Sequence, residues 1–233
     1  MSELTIDLSG VADLSSFSGS VPLFPLATVV FFPNTLLPLH VFEPRYKQMI
    51  NDVINDERII GMVLLKPQWE KNYYGNPEIY DVACMGRIVS SEPVEDGKFN
   101  IVLYGLKRIR IVEIVKNHPY RVARVKILED IHEANEEFCR ENITKLITAW
   151  NGMLGKEQES HKIKIDLQLP LECLTDALAS LIVSNIFDRQ ELLAEPNVKK
   201  RAEKIISYLE TRLQVVSITS KKRKEILEKR NLN

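Results

Sequence analysis

Few side chains in this sequence are placed to do covalent or acid–base chemistry. The histidines, His40, His118, His132 and His161, stand singly, and no HExxH pair sets two imidazoles on one helical face for a metal. Cys84, Cys139 and Cys173 lie far apart with no CxxC pair, so neither a zinc knuckle nor a disulfide framework is expected. They read as free buried thiols in a reducing, cytoplasmic setting. Phosphate chemistry would need GxxxxGK[ST], in which backbone amides and a lysine cradle the anion. The nearest fragment, Gly152-Met153-Leu154-Gly155-Lys156, has the wrong spacing, and Glu157 stands where a hydroxyl should. GxSxG and GxGxxG are also missing. The expectation is no catalytic residue, no metal, no cofactor and no enzyme activity.

Side chains suited to binding are better represented. Lys107, Arg108, Arg110, Arg121 and Arg124 crowd two neighbouring strand segments. Base stacking would need aromatics between them, and only Tyr104 and Tyr120 flank the run, so solvated outward faces are expected instead. Lys plus Arg number 31 against 32 Asp plus Glu, a formal charge of -1, which gives nucleic acid no general attraction. The basic tail Lys221-Lys222-Arg223-Lys224 is followed by Glu225 and Glu228, as on a charged helix end. Two apolar sets remain. Trp69, Tyr73 and Tyr74, with Tyr80, fall in 67–81, where Gly75-Asn76-Pro77 marks a loop; they either anchor a partner or fold back over the strands. Phe31, Phe32, Leu36 and Leu37 belong to an apolar run that is either partly exposed or a strand buried on both faces.

The elements that must position these residues follow from periodicity. Segment 21–42 is apolar, but Pro22, Pro25, Pro33 and Pro38 interrupt it, and a proline costs a helix interior about 3 kcal/mol. It therefore reads as short strands with proline-marked turns, not a membrane span. Through residue 128 the period is mostly two, with strands expected around Val82–Ile88, Phe99–Leu103, 107–115 and 120–128. Asp96-Gly97 predicts a hairpin, Gly105 a strand break, and Asn117-His118-Pro119 a turn. Pro44 opens one helix carrying Tyr46, Met49, Ile50 and Val53. After Asp130 the period becomes helical. One stripe runs from Phe138 to Leu154, a second from Leu171 to Ile186, and a third from Ala202 to Val216 on a long last helix. Polar 156–164 is a loop between the first two. The class is α+β: a lead-in over 1–20 (flexible, or an added edge strand), a strand-rich part over 21–130 and a helical part over 131–233.

Particular residues resemble one family. Val21-Pro22-Leu23-Phe24-Pro25-Leu26, Phe32-Pro33-Asn34 and Leu37-Pro38-Leu39-His40-Val41-Phe42-Glu43-Pro44-Arg45-Tyr46 are similar to the opening of the N-terminal substrate-binding domain of Lon proteases. Cys84-Met85-Gly86-Arg87-Ile88, the hairpin at Asp96-Gly97-Lys98, Tyr104-Gly105-Leu106-Lys107-Arg108 and Pro119-Tyr120-Arg121-Val122-Ala123 continue the resemblance, which covers about 21–216. It implies a PUA-like β pseudo-barrel followed by a helical subdomain, and a role in recognising protein substrates. In full-length Lon an ATPase and a Ser–Lys peptidase follow. Here the short polar start and the ending Lys229-Arg230-Asn231-Leu232-Asn233 suggest a natural small protein.

The expected function is a non-enzymatic module that binds exposed apolar segments of unfolded or tagged protein clients and delivers them to a separate ATP-dependent protease. The expected contacts are Phe31, Phe32, Leu36, Leu37, Trp69, Tyr73 and Tyr74, with strand addition at an open sheet edge supplying backbone hydrogen bonds. The alternative is an RNA-binding PUA-like protein, a fold-level analogy. A third reading, a ligase adaptor like a cereblon-type relative, would need paired cysteines for zinc, which this chain lacks.

Overall fold

In the computed structural model the chain is described over residues 8, 10–72, 75–154 and 156–230, with side chains through 216 apart from 156 and 157. Strands β1 (Ser20–Leu26) and β2 (Leu36–Val41) precede helix α1 (Pro44–Val53) and strand β3 (Ile59–Leu64). Strands β4 (Val82–Val94), β5 (Lys98–Lys116) and β6 (Val122–Leu128) follow, then helices α2 (Glu136–Met153), α3 (Leu171–Ile182), α4 (Ile186–Ala194) and α5 (Val198–Arg230). Two compact units result: 1–129 with Asp176–Pro196, and Asp130–Thr175 with Asn197–Asn233. The boundaries fall inside the helical region, so α3 starts in one unit and ends in the other.

In the first unit the strand order is β2-β5-β4-β3-β1-β6, and β6 also pairs with β5, so the strands close into a ring. β1 and β3 run parallel; the other pairings are antiparallel. The interior is packed by Val21, Leu23, Ile59, Val63, Met85 and Ile109, with Leu14 and Phe17 of the lead-in against it. Arg87 holds that lead-in, donating from Nη2 to the Asp13 carbonyl at 2.6 Å and from Nη1 to that of Gly10 at 3.4 Å. α1 forms where expected: Pro44 occupies the first turn and Tyr46, Met49, Ile50 and Val53 are buried at helical spacing.

One strand expectation changes, and one strand forms where none was singled out. All six residues of β3 are buried, so its run carries no alternation to distinguish strand from helix. Gly105 does not break the second hairpin strand, because β5 is continuous over 19 residues. The glycine makes a slot instead. Gly86 and Gly105 are cross-strand partners, and a Cβ on Gly105 would stand 2.1 Å from the Phe32 carbonyl oxygen, while one on Gly86 would meet the Phe31 ring at 2.6 Å. The segment before β2 lies across that bare patch. Asn34 N–H donates to the Gly105 carbonyl at 2.9 Å, and Gly105 N–H to that of Thr35 at 2.9 Å. The Asp96-Gly97 hairpin is present, with both residues at positive φ (61° and 65°).

α4 opens at Asn185, whose side chain accepts from the N–H of Phe187 at 2.8 Å, so the stripe expected from Leu171 to Ile186 is split into two helices. In the second unit α2 packs on α5, and Ile143 and Ile147 of one helix and Ile205 and Leu209 of the other are buried. The loop expected over 156–164 contains a short 3-10 segment, Lys156–His161. It is tied back by Asn151, which donates to the Ile163 carbonyl and accepts from its N–H, both at 2.9 Å. No described helix is long and apolar enough to cross a membrane.

Candidate protein-binding surface

The arginines of the strand region do not form one solvated face. Arg108 is 2% exposed, and its guanidinium grips the Asp176 carboxylate with both Nη atoms, Nη1–Oδ2 at 3.0 Å, while Nε donates to the Leu193 carbonyl at 3.0 Å. Arg121 is 8% exposed and donates to Asn76 Oδ1 and the Pro77 carbonyl. Both were expected on the outside. Arg108 has instead found a carboxylate that compensates its buried charge, while the acceptors of Arg121 are neutral oxygens. Arg110 and Arg124 are exposed, and Arg124 pairs with Glu113 at 2.5 Å. That leaves little of the basic stripe free for nucleic acid.

The expected apolar contacts separate. Phe31 and Phe32 are 3% and 0% exposed, held in the glycine slot, so they are core and not a docking patch. Leu37 is half-buried on the inner side of β2. Trp69 is half-buried on a short 3-10 turn, Trp69–Asn72, beside a shallow groove that Pro67, Gln68 and Pro77 also line. Tyr73 and Tyr74 lie outside the described residues. None of the β2 residues lines the Trp69 groove.

Leu36 is exposed, and the ladder sets beside it outward residues that the sequence did not single out. Paired residues of antiparallel strands share a face. Leu36 pairs with Tyr104, Pro38 with Val102 and His40 with Asn100. On β4, Arg87 then faces Tyr104, Ser90 faces Val102 and Glu92 faces Asn100. β2 therefore turns Leu36, Pro38 and His40 outward. Phe42, just past the strand, continues the row and stacks on His40 with ring centroids 6.1 Å apart. Leu36 is 49% and Phe42 59% exposed, both high for large apolar side chains. Between them lies a shallow groove of about 330 Å³ around Pro38, Val102 and Ser90, polar at the end where His40 Nδ1 lies 2.8 Å from Asn100 Oδ1. The period-two run from Leu36 to Phe42 held this signal, with the even positions outward.

The face suits an extended apolar segment laid across it. The free edge of β2 suits strand addition poorly, because Pro38 at its middle has no N–H to offer. A second apolar groove, about 630 Å³, runs between α2 and α5 in the other unit, with Phe138 63% exposed at its rim. Cys84 and Cys139 offer no ready nucleophile: burial pushes the Cys84 pKa far up, more than the nearby Arg108 lowers it, and burial raises that of Cys139. Among the described residues no cluster could hold a metal ion.

Known proteins are similar to this chain in sequence and in fold. A family model described as the ATP-dependent protease La (LON) substrate-binding domain matches residues 20–211. The Lon protease of Dictyoglomus thermophilum is 28% identical over 209 residues, 88% of this chain and 26% of that protein. Lon protease 2 of Myxococcus xanthus is 28% identical over 213 residues, 86% of this chain and 24% of that protein. The chain thus spans about a quarter of the length of these curated relatives. Among solved structures, the N-terminal domain of Mycobacterium avium complex Lon protease has a TM-score of 0.60 at 16% identity, covering 82% of this chain and 98% of that one. A Lon N-terminal domain protein from Xanthomonas campestris has a TM-score of 0.56 at 22% identity, covering 81% of this chain and 97% of that one.

Proposed function

The chain belongs to the Lon substrate-binding domain family, and from that premise we propose that it is a protein-binding module that captures exposed apolar segments of unfolded or tagged clients for a separate ATP-dependent protease. The module acts without ATPase or peptidase chemistry of its own. The observation that carries the reading is the outward row of β2, where Leu36 and Phe42 stay about half exposed or more at either end of a groove over Pro38 and Val102. A client side chain covering them removes apolar surface from water, at about 25 cal/mol per Å² before the costs of association. Trp69, on its own loop, is a second contact point.

The test is fluorescence anisotropy of a labelled unfolded client with the wild-type chain and with a Leu36→Ser, Phe42→Ser double variant. Each side chain has about half of its surface still to bury, worth about 1 kcal/mol, so binding should weaken roughly tenfold or more. Unchanged affinity in a correctly folded variant would remove β2 from the site.

A further inference from the structure

Beyond the β2 face, the first unit holds a recess whose chemistry the protein-binding reading does not use. It is lined by Arg45 and Tyr46 from the first turn of α1, Asn76 and Pro77 from the loop before β4, and Asn117 and Arg121 from the β5–β6 connection. Pro25 and Leu65 form an apolar wall, and about 30 Å³ is open to water-sized groups, room for one small polar group.

Its charges do not balance. Arg45 is paired with Glu43 at 3.0 Å and lies over the Tyr46 ring at 4.7 Å. Arg121 is 8% exposed, yet its bonds go to neutral oxygens, Asn76 Oδ1 at 3.3 Å and the Pro77 carbonyl at 2.7 Å. No carboxylate pairs with Arg121 among the described residues, and Asp52 is taken by the Tyr120 hydroxyl at 2.6 Å. A buried cation normally has an anionic partner. A guanidinium has five N–H donors in a planar fork, and two are used here, so donors remain for a ligand. The environment makes the deficit worse. Burial is the main cause lowering the Arg121 pKa, and the Arg45 charge adds to it while Tyr46 opposes it. The positive end of α1 lines the same recess.

We propose that this recess is a monoanion site that takes the C-terminal carboxylate of a protein client, with Arg121 forking the two oxygens and the rest of the client outside the recess. The client rests on the function proposed above; the anion site does not. A carboxylate matches the single unpaired cation and the planar fork, whereas a phosphate dianion would bring a second charge with no partner.

The experiment compares two labelled twelve-residue apolar peptides that differ only in ending as a free acid or an amide. The acid should bind the wild-type chain at least about tenfold more tightly. Arg121→Gln should erase the difference. Because Arg121 also fastens the loop before β4, Asn117→Asp provides a second route: at an exposed position, it supplies a resident carboxylate and should also bring the two peptides to within about twofold. In parallel, sodium acetate should shift the Arg121 Nε–Hε resonance saturably, against sodium chloride at equal ionic strength. Equal binding of acid and amide by the wild type overturns the client assignment. A preference that survives in both variants places the carboxylate elsewhere and overturns the site. Stronger displacement of the acid peptide by inorganic phosphate than by acetate overturns the monoanion assignment. If neither peptide nor any unfolded client binds while acetate shifts Arg121, the proposed function fails and the anion site stands.

Discussion

Arg108 and Asp176 show how much the residue scale can hide. Written in a strand rich in basic residues, Arg108 looks like an outward charge; no local pattern announces a partner 68 positions later that is 1% exposed. Breaking a buried pair by neutralising one member leaves the other charge without compensation, which costs about 3–5 kcal/mol. Asp176→Asn should therefore lower the urea midpoint by that much stability with little change in slope, whereas exposed Glu113→Gln, opposite Arg124, should cost less than about 1 kcal/mol. Gly105→Ala is a different kind of residue effect. Its Cβ meets a backbone carbonyl, which cannot step aside like a side chain, so a loss of about 1–3 kcal/mol is expected in thermal or urea unfolding. The thiols were readable as free cysteines from their spacing, and the structure ranks them. Cys173 is half-buried while Cys84 and Cys139 are buried. A thiol reagent should label one cysteine quickly in the native state, and Cys173→Ser should abolish that phase.

At the element scale, legibility followed the strength of the local signal. α1, the Asp96-Gly97 hairpin and the α2 and α5 stripes carry a first-turn proline, positive-φ residues or long periodic faces, and are legible in the sequence. β3 was not, because a strand buried on both faces alternates nothing. The break assigned to Gly105 failed for a related reason: a glycine that admits another backbone is indistinguishable in sequence from one that ends a strand. The candidate site suffered most from this. Phe31 and Phe32 occupy a slot made by two glycines distant in sequence, so their hydrophobicity said nothing about exposure. The face that is exposed, Leu36 to Phe42, presents itself in sequence as a family signature more than as an alternating strand. One element-scale prediction follows from the edge of β2. Pro38 interrupts its donor row, which guards against edge-to-edge pairing. Pro38→Val should restore a donor on a strand-favouring residue and raise self-association in sedimentation velocity; a strictly unchanged sedimentation coefficient across concentration would contradict that role.

For the whole molecule, the division of chemistry is simple: charge is spent inside, in the Arg108–Asp176 pair and in Arg201 with Asp130, while apolar side chains are left outside on β2. A module that binds through apolar burial is barely sensitive to screening, whereas one that binds phosphates releases counterions and weakens steeply with salt. The most direct measurement is therefore anisotropy of a labelled unfolded peptide and of a labelled single-stranded RNA, each across a salt series, with the wild-type chain and an Arg110→Glu, Arg124→Glu variant. With apolar capture as the function, peptide binding should change less than about threefold between 50 mM and 500 mM salt, be untouched by the arginine changes, and greatly exceed RNA binding. Tight RNA binding with a steep salt slope, lost in the arginine variant and accompanied by no peptide binding, would contradict it.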